Sequence, residues 1–133
     1  MAAPPLARVY RKAPKDLNGA PFILPAWSSS IHTQVLDLLA DWEVTPRVVV
    51  EASDAELARR LAISGVGIAP INAYTISCSA PRGSLTIMKT HKPIGLYESI
   101  YLLSQLRRWP HPVIEHLKKN FRLPASASTM RLR

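Results

Sequence analysis

Residues 21–42 read PFILPAWSSSIHTQVLDLLADW, and this stretch decides the fold. Phe22, Ile23 and Leu24 are a short apolar run, which predicts a strand buried on both faces as in a parallel sheet. Pro25 ends it. Any of Ser28, Ser29 and Ser30 can cap a helix running from about 29 to 42, because a serine oxygen satisfies an orphan N–H of the first turn. Ile31, Val35, Leu38, Leu39 and Trp42 then fall on one stripe of a 3.6-residue period. Ligands of open α/β sheets sit at the carboxyl ends of strands, against helix N-termini. Residues 25–30 are therefore the first candidate binding segment.

The same alternation continues outward. Val48, Val49 and Val50 are β-branched and bounded on both sides, which predicts a second buried strand. Ser53 and Glu56 fit an S-x-x-E capping box opening a helix with Leu57, Ala58, Leu61 and Ala62 on its apolar stripe. Gly65 suits its C-terminal end. Residues 66–70, VGIAP, make a third short strand. The order β-α-β-α-β, with about 20–25 residues between strand starts, suits crossovers in a parallel sheet. Upstream, residues 4–12 predict a short helix stopped by Pro14, and residues 16–19 a turn. Downstream, the pattern predicts a short helix over 71–79, a turn at 82–84, a strand over 85–88 and a longer strand over 97–103. A basic amphipathic helix over 112–121 follows, with Val113, Ile114, Leu117 and Phe121 on one face. This divides the chain into an N-terminal helix and turn (1–19), a central α/β unit (20–92), a closing strand and helix (93–123), and a disordered basic tail (124–133).

A length of 133 residues fits one domain, and 47% hydrophobic residues fit a packed core. Twelve prolines break the chain into short elements. The net charge of +8 is unevenly spread: +3 over residues 1–20, −1 over 21–99 and +6 over 100–133. Basic flanks around a neutral centre read as solvated ends rather than as a nucleic-acid footprint. The single cysteine, Cys78, excludes an internal disulfide framework and suits a reducing cytoplasm. No apolar run is long enough to span a membrane, and the N-terminus lacks the apolar centre of a secretory signal.

The segment LNGAPFILPAWSSSIHTQVLDLLADWEVTPRVVVEASDAELARRLAISGVGIAPI resembles the second subdomain of the effector-binding region of LysR-type transcriptional regulators. The matching parts are the strand before the serine-bearing helix start, TPRVVVEASD and GVGIAPI. The later LYESIYLLSQLRRWPHPVIEHLKKNF resembles that family's closing strand and C-terminal helix. The opening AAPPLARVYRK…LNGAPFILP resembles the branch that activates sodium/proton antiporter genes. The resemblance spans residues 2–123. It implies one subdomain of a type 2 periplasmic-binding-protein-like fold: a short parallel sheet flanked by helices, closed by a strand and helix. It further implies a fragment without the family's winged helix-turn-helix, linker helix and first effector subdomain, and so without operator DNA binding of its own. An exposed apolar patch and self-association are expected of such a piece.

Ser28, Ser29 and Ser30 suit either simple capping or hydrogen bonding to a polar effector, and the resemblance adds weight to the second. Trp27 beside them suits a wall of that site or ordinary packing. Ser53 stands at the next strand end, where capping is the plainer role. Ile71 and Asn72 stand at the third, where Asn72 fits a ligand contact or a turn. His32, His91, His111 and His116 show no metal-ligand spacing with carboxylate or cysteine support, so no metal and no cofactor is expected. Cys78 lacks a neighbouring base, and no phosphate-loop, dinucleotide or nucleophile-elbow motif is present, which excludes an enzyme of those classes. The basic cluster Arg107, Arg108, Lys118, Lys119 and Arg122, with Trp109 and Phe121, reads as a solvated face.

The expectation is therefore a cytoplasmic sensor module. It binds a small polar molecule or ion and pairs with a second copy or a full-length relative. In the family, effector binding alters a dimer or tetramer and so transcription. The alternative is a small basic α/β protein that binds nucleic acid or a solute.

Overall fold

A computed structural model describes residues 1–72, 83–91, 94–99, 101, 103–105, 108 and 111–122. The elements are α1 (Pro4–Val9), β1 (Lys12–Ala13), a 3-10 turn (Lys15–Leu17), β2 (Pro21–Pro25), α2 (His32–Asp41), β3 (Arg47–Ala52), α3 (Ala55–Ile63), β4 (Lys89–Thr90) and α4 (Pro112–Asn120).

β2 is the centre because its alternation serves two layers. Phe22 and Leu24 pack with Val35 and Leu39 of α2, with Ile68, and with Leu17, Ala20 and Met88. Ile23 points the other way, onto Ala52, Ala58, Ala62 and Ala69, with Leu61, Ile71 and Leu85 beside them. One helix thus covers each face, the arrangement a βαβαβ order demands of a strand apolar on both sides. β2 pairs in parallel with β3 from Pro21↔Arg47 to Pro25↔Ala52, with an irregularity between Phe22 and Ile23. Its other edge meets residues 66–70, which form a single parallel bridge, Phe22↔Ile68, rather than a full strand. Ile23 N–H donates to Ile68 O at 2.9 Å and Ile68 N–H to Pro21 O at 2.8 Å. Gly67 permits this approach: a Cβ there would lie 3.1 Å from the Pro21 carbonyl oxygen and from Ile23 Cγ1. Beyond it, Ala69 N–H donates to Met1 O at 2.8 Å, and Ala2 bridges Thr86 antiparallel. β1 and β4 pair in parallel, Lys12↔Lys89 and Ala13↔Thr90.

Several sequence expectations are corrected. The helix expected over 4–12 stops at Val9, because Asp16 accepts the N–H groups of Arg11 and Lys12 at 2.9 Å each and turns the chain into β1. Those backbone donors, Lys12 first, also lower the Asp16 pKa. Val48, expected buried, is 48% exposed. β3 is the outer strand of its pair among the described residues, so one of its edges faces outward. The strand expected over 85–88 is a lone bridge at Thr86, and the pairing falls three to four residues later in β4. The described residues within 97–103 form no regular element. The expected helix over 71–79, Cys78, Arg107, Trp109 and the tail 124–133 lie largely or wholly outside the described residues. The C-terminal helix forms as expected, with Pro112 in its first turn and His111 Nδ1 accepting from Val113 N–H at 3.2 Å. It buries none of its residues, leaving Val113, Ile114, Leu117 and the following Phe121 exposed.

Candidate functional site

The strand order reverses at β2: the chain passes to β3 on one side, then returns to residues 66–70 on the other. Ligand crevices of open α/β sheets lie at such a reversal, beyond the strands' carboxyl ends. Three segments meet there. Ala26 N–H donates to Ala52 O at 2.8 Å, setting the 26–30 loop beside Ser53 and Asp54. Counting on from the Phe22↔Ile68 bridge, Ile71 falls level with Pro25.

The sequence-predicted residues distribute as follows. Trp27 is 82% exposed and lies on the loop rather than in the core. Ser28 and Ser30 are exposed and Ser29 is half-buried. None of the three caps α2: its N-cap position is Ile31, and no side chain accepts from its first turn. Ser29 N–H instead donates to Ala26 O at 2.8 Å and His32 N–H to Ser29 O at 3.1 Å, so backbone turns lead into the helix. Ser29 Oγ reaches only Ile31 N–H, at 3.5 Å. Ser53 is not a cap either. Asp54 caps α3, its Oδ1 accepting from Leu57 N–H at 2.8 Å, while Ser53 Oγ donates to Asp54 Oδ2 at 3.3 Å. The expected capping box fails because Glu56 turns to Arg59 and Arg60, accepting from Arg59 Nε at 2.6 Å and Arg60 Nε at 2.8 Å. Those guanidiniums, Arg59 first, hold the Glu56 carboxyl at about 2. Replacing Asp54 with alanine is expected to cost about 1 kcal/mol, measured as a lower urea midpoint. Ser53→Ala should cost less than half of that. Ile71 is half-buried against the Ile23 layer, so it shapes the floor. Asn72 is exposed and its Nδ2 donates to Glu98 Oε2 at 2.7 Å.

Four further residues stand at this rim that sequence reasoning did not select. His32 Nδ1 lies 2.6 Å from Pro25 O. A carbonyl only accepts, so Nδ1 carries the proton and the ring is pinned to the end of β2. Gln34 Nε2 donates to Ser30 O at 3.2 Å and to Tyr97 O at 3.1 Å, and Gln34 Oε1 accepts from Tyr97 N–H at 3.1 Å. Tyr97 and Glu98 thus lie across the rim. His32, two residues past the serines, was the one with a local signal. Gln34–Tyr97 spans 63 positions and leaves no local trace.

Segments 25–34, 51–54, 70–72 and 94–99 contain Glu51, Asp54 and Glu98 and neither lysine nor arginine. No group of three or more His, Cys, Asp or Glu suited to a metal ion occurs among the described residues. A concavity of about 180 Å³ lined by Pro14, Asp41, Trp42 and His91 is separate, involving the opposite end of α2. No helix among the described residues is long and apolar enough to cross a membrane.

No curated protein and no solved structure matches the chain. The family model of the LysR substrate binding domain matches residues 1–122, which takes in every element described and the whole rim. That family is regulatory rather than enzymatic and has a periplasmic-binding-protein-like fold, in keeping with the short parallel sheets and flanking helices seen here. With a match over nearly its whole length, the chain belongs to the LysR substrate binding domain family.

Proposed function

We propose that this chain is an effector-binding lobe of a LysR-type regulator that takes a small polar molecule or ion at the rim formed by residues 25–30, Ser53, Ile71 and Asn72. The observation that carries the reading is the uncapped start of α2 beside exposed Ser28 and Ser30, at the point where the strand order reverses. The first turn has no side-chain cap, its His32 N–H being held by Ser29 O, and it presents a positive dipole end. The acidic residues Glu51, Asp54 and Glu98 work against a strongly anionic ligand and the positive end of α2 works against a cation, which favours a neutral polar molecule that accepts hydrogen bonds. Sodium is included on the strength of the resemblance to regulators of sodium/proton antiporter genes. The reading carries a cytoplasmic setting and association with a second copy or a full-length relative. The outward edge of β3, with Val48, and Leu36 on α2 offer surface for that association.

Thermal unfolding tests it. The chain is compared in sodium and choline chloride at equal ionic strength, then with small neutral polyols, amines and carboxylates. At least one compound should raise the midpoint, since a ligand at a hundred times its dissociation constant adds about 2.7 kcal/mol. Ser30→Ala and Asn72→Ala should reduce that shift. A panel with no shift at all removes the effector reading.

A further inference from the structure

We propose that Gln34 is a positioning residue that couples the effector loop to the segment crossing the rim. Its amide uses both N–H donors and its oxygen: Ser30 O at 3.2 Å, Tyr97 O at 3.1 Å and Tyr97 N–H at 3.1 Å. Toward Tyr97 this is the two-point pattern of a strand pair, made by a side chain. Toward Ser30 it is a contact with the loop just before α2. Asn72 Nδ2 holds the next residue, Glu98, at 2.7 Å. Tyr97 is 80% exposed, so burial does little to hold it, and the backbone bonds to Gln34 do the holding. Segment 94–99 is thereby tied to the start of α2 on one side and to Asn72, just past residues 66–70, on the other.

One nitrogen serves both Ser30 O and Tyr97 O, so the position of the loop and the docking of Tyr97 depend on a single amide plane. This rests on the effector reading of residues 25–30: a ligand that draws the Ser30 peptide toward itself changes the geometry with which Gln34 grips Tyr97. A ligand biases such an equilibrium only through its different affinity for the two arrangements. Gln34 supplies the link that gives loop occupancy a different value in each.

The test is site-resolved amide hydrogen exchange on the full 133-residue chain at pH 7, comparing the native sequence with Gln34→Ala and Gln34→Glu. Gln34→Ala should raise exchange at the Tyr97 amide about tenfold, the loss of roughly one net hydrogen bond. The Ser29 and His32 amides, which hold the loop turns, should loosen with it, while Ile23 and Ile68 stay protected. Gln34→Glu keeps an acceptor for Tyr97 N–H and sets a carboxylate against two carbonyl oxygens, so its Tyr97 protection should fall between the other two. Unchanged exchange at Tyr97 overturns the proposal. So does a rise at Tyr97 with Ser29 and His32 unmoved, because the two sides are then not coupled. So does an equal rise at Ile23, which assigns Gln34 a merely structural role. The experiment contains no ligand. Its failure leaves the thermal-shift test of the effector reading intact, and a blank ligand panel beside coupled loosening removes that reading alone.

Discussion

Replacing Ile23 with alanine is expected to lower the stability of the chain by about 3 kcal/mol. Ile23 is fully buried at the middle of β2 and is one of the two largest side chains with no exposed surface. Its fully buried neighbours on that face are Ala52, Ala58, Ala62 and Ala69, side chains of one carbon that cannot swing into a void, and the longer Leu61, Ile71 and Leu85 lie at the margin of the cluster. Alanines at positions 58 and 62 let α3 lie close to the sheet, and the same smallness prevents repair. The loss is therefore the transfer free energy of the removed methyl and methylene groups plus an unrelieved cavity. The backbone beside Gly67 adds a constraint from the side, because the Ile68 N–H to Pro21 O bond at 2.8 Å holds that segment in place. Urea unfolding should show a lower midpoint at unchanged slope. The control is Val48→Ala on the outward part of β3, expected within about 0.5 kcal/mol of the native chain. A cost at Ile23 no larger than at Val48 would place Ile23 outside the core.

The contrast between these two positions shows what the residues reveal by themselves. Phe22, Ile23 and Leu24 declare a strand apolar on both faces, and the structure gives each face its helix. Val48, Val49 and Val50 carry the same local signal, yet β3 is an edge among the described residues. Burial depends on which strands become neighbours, and strand order is not encoded in a strand's own composition. Caps were half legible for a related reason. Ser53 and Asp54 both suit the N-cap, and S-x-x-E selected Ser53. The competing i,i+3 and i,i+4 pairs of Glu56 with Arg59 and Arg60 left the reciprocal half of the box unmade, and the cap moved to Asp54. At the rim, the placement of residues 25–30 and 70–72 at strand ends is legible because strand ends are local. That of Gln34, Tyr97 and Glu98 is not, because their meeting is made by the return of a distant segment. The exposed face of α4 follows the same division. Its amphipathic period is plain in the sequence, and the described residues bury none of it.

Between pH 8 and pH 5 the chain is expected to lose stability, by up to about 4 kcal/mol if the whole shift of one group is expressed. The group is the α-amino group of Met1, which donates to Ala69 O at 2.6 Å beside the Ala69 N–H to Met1 O bond. Burial penalises its charged form and lowers its pKa from 8.0 to about 5. The unfolded chain therefore binds a proton throughout this window that the folded chain does not, and acidification favours unfolding. The contribution is complete above pH 8, declines as pH falls, and is exhausted below pH 5. Glu56, held at about 2 by its arginines, works in a separate window. Its pairing is fully present above the ordinary carboxylate value of 4.5 and is lost as pH falls toward 2. Urea midpoints from pH 5 to 8.5 measure the first effect. The matching chain acetylated at Met1 keeps an N–H for Ala69 O but carries no titratable amine, and it reports every other titration in the same range. The difference between the two curves should rise from pH 5 to 8 and then level off. Parallel curves would mean that the amine is solvated in the folded chain, and that the Met1–Ala69 pairing beside residues 66–70 is open in solution.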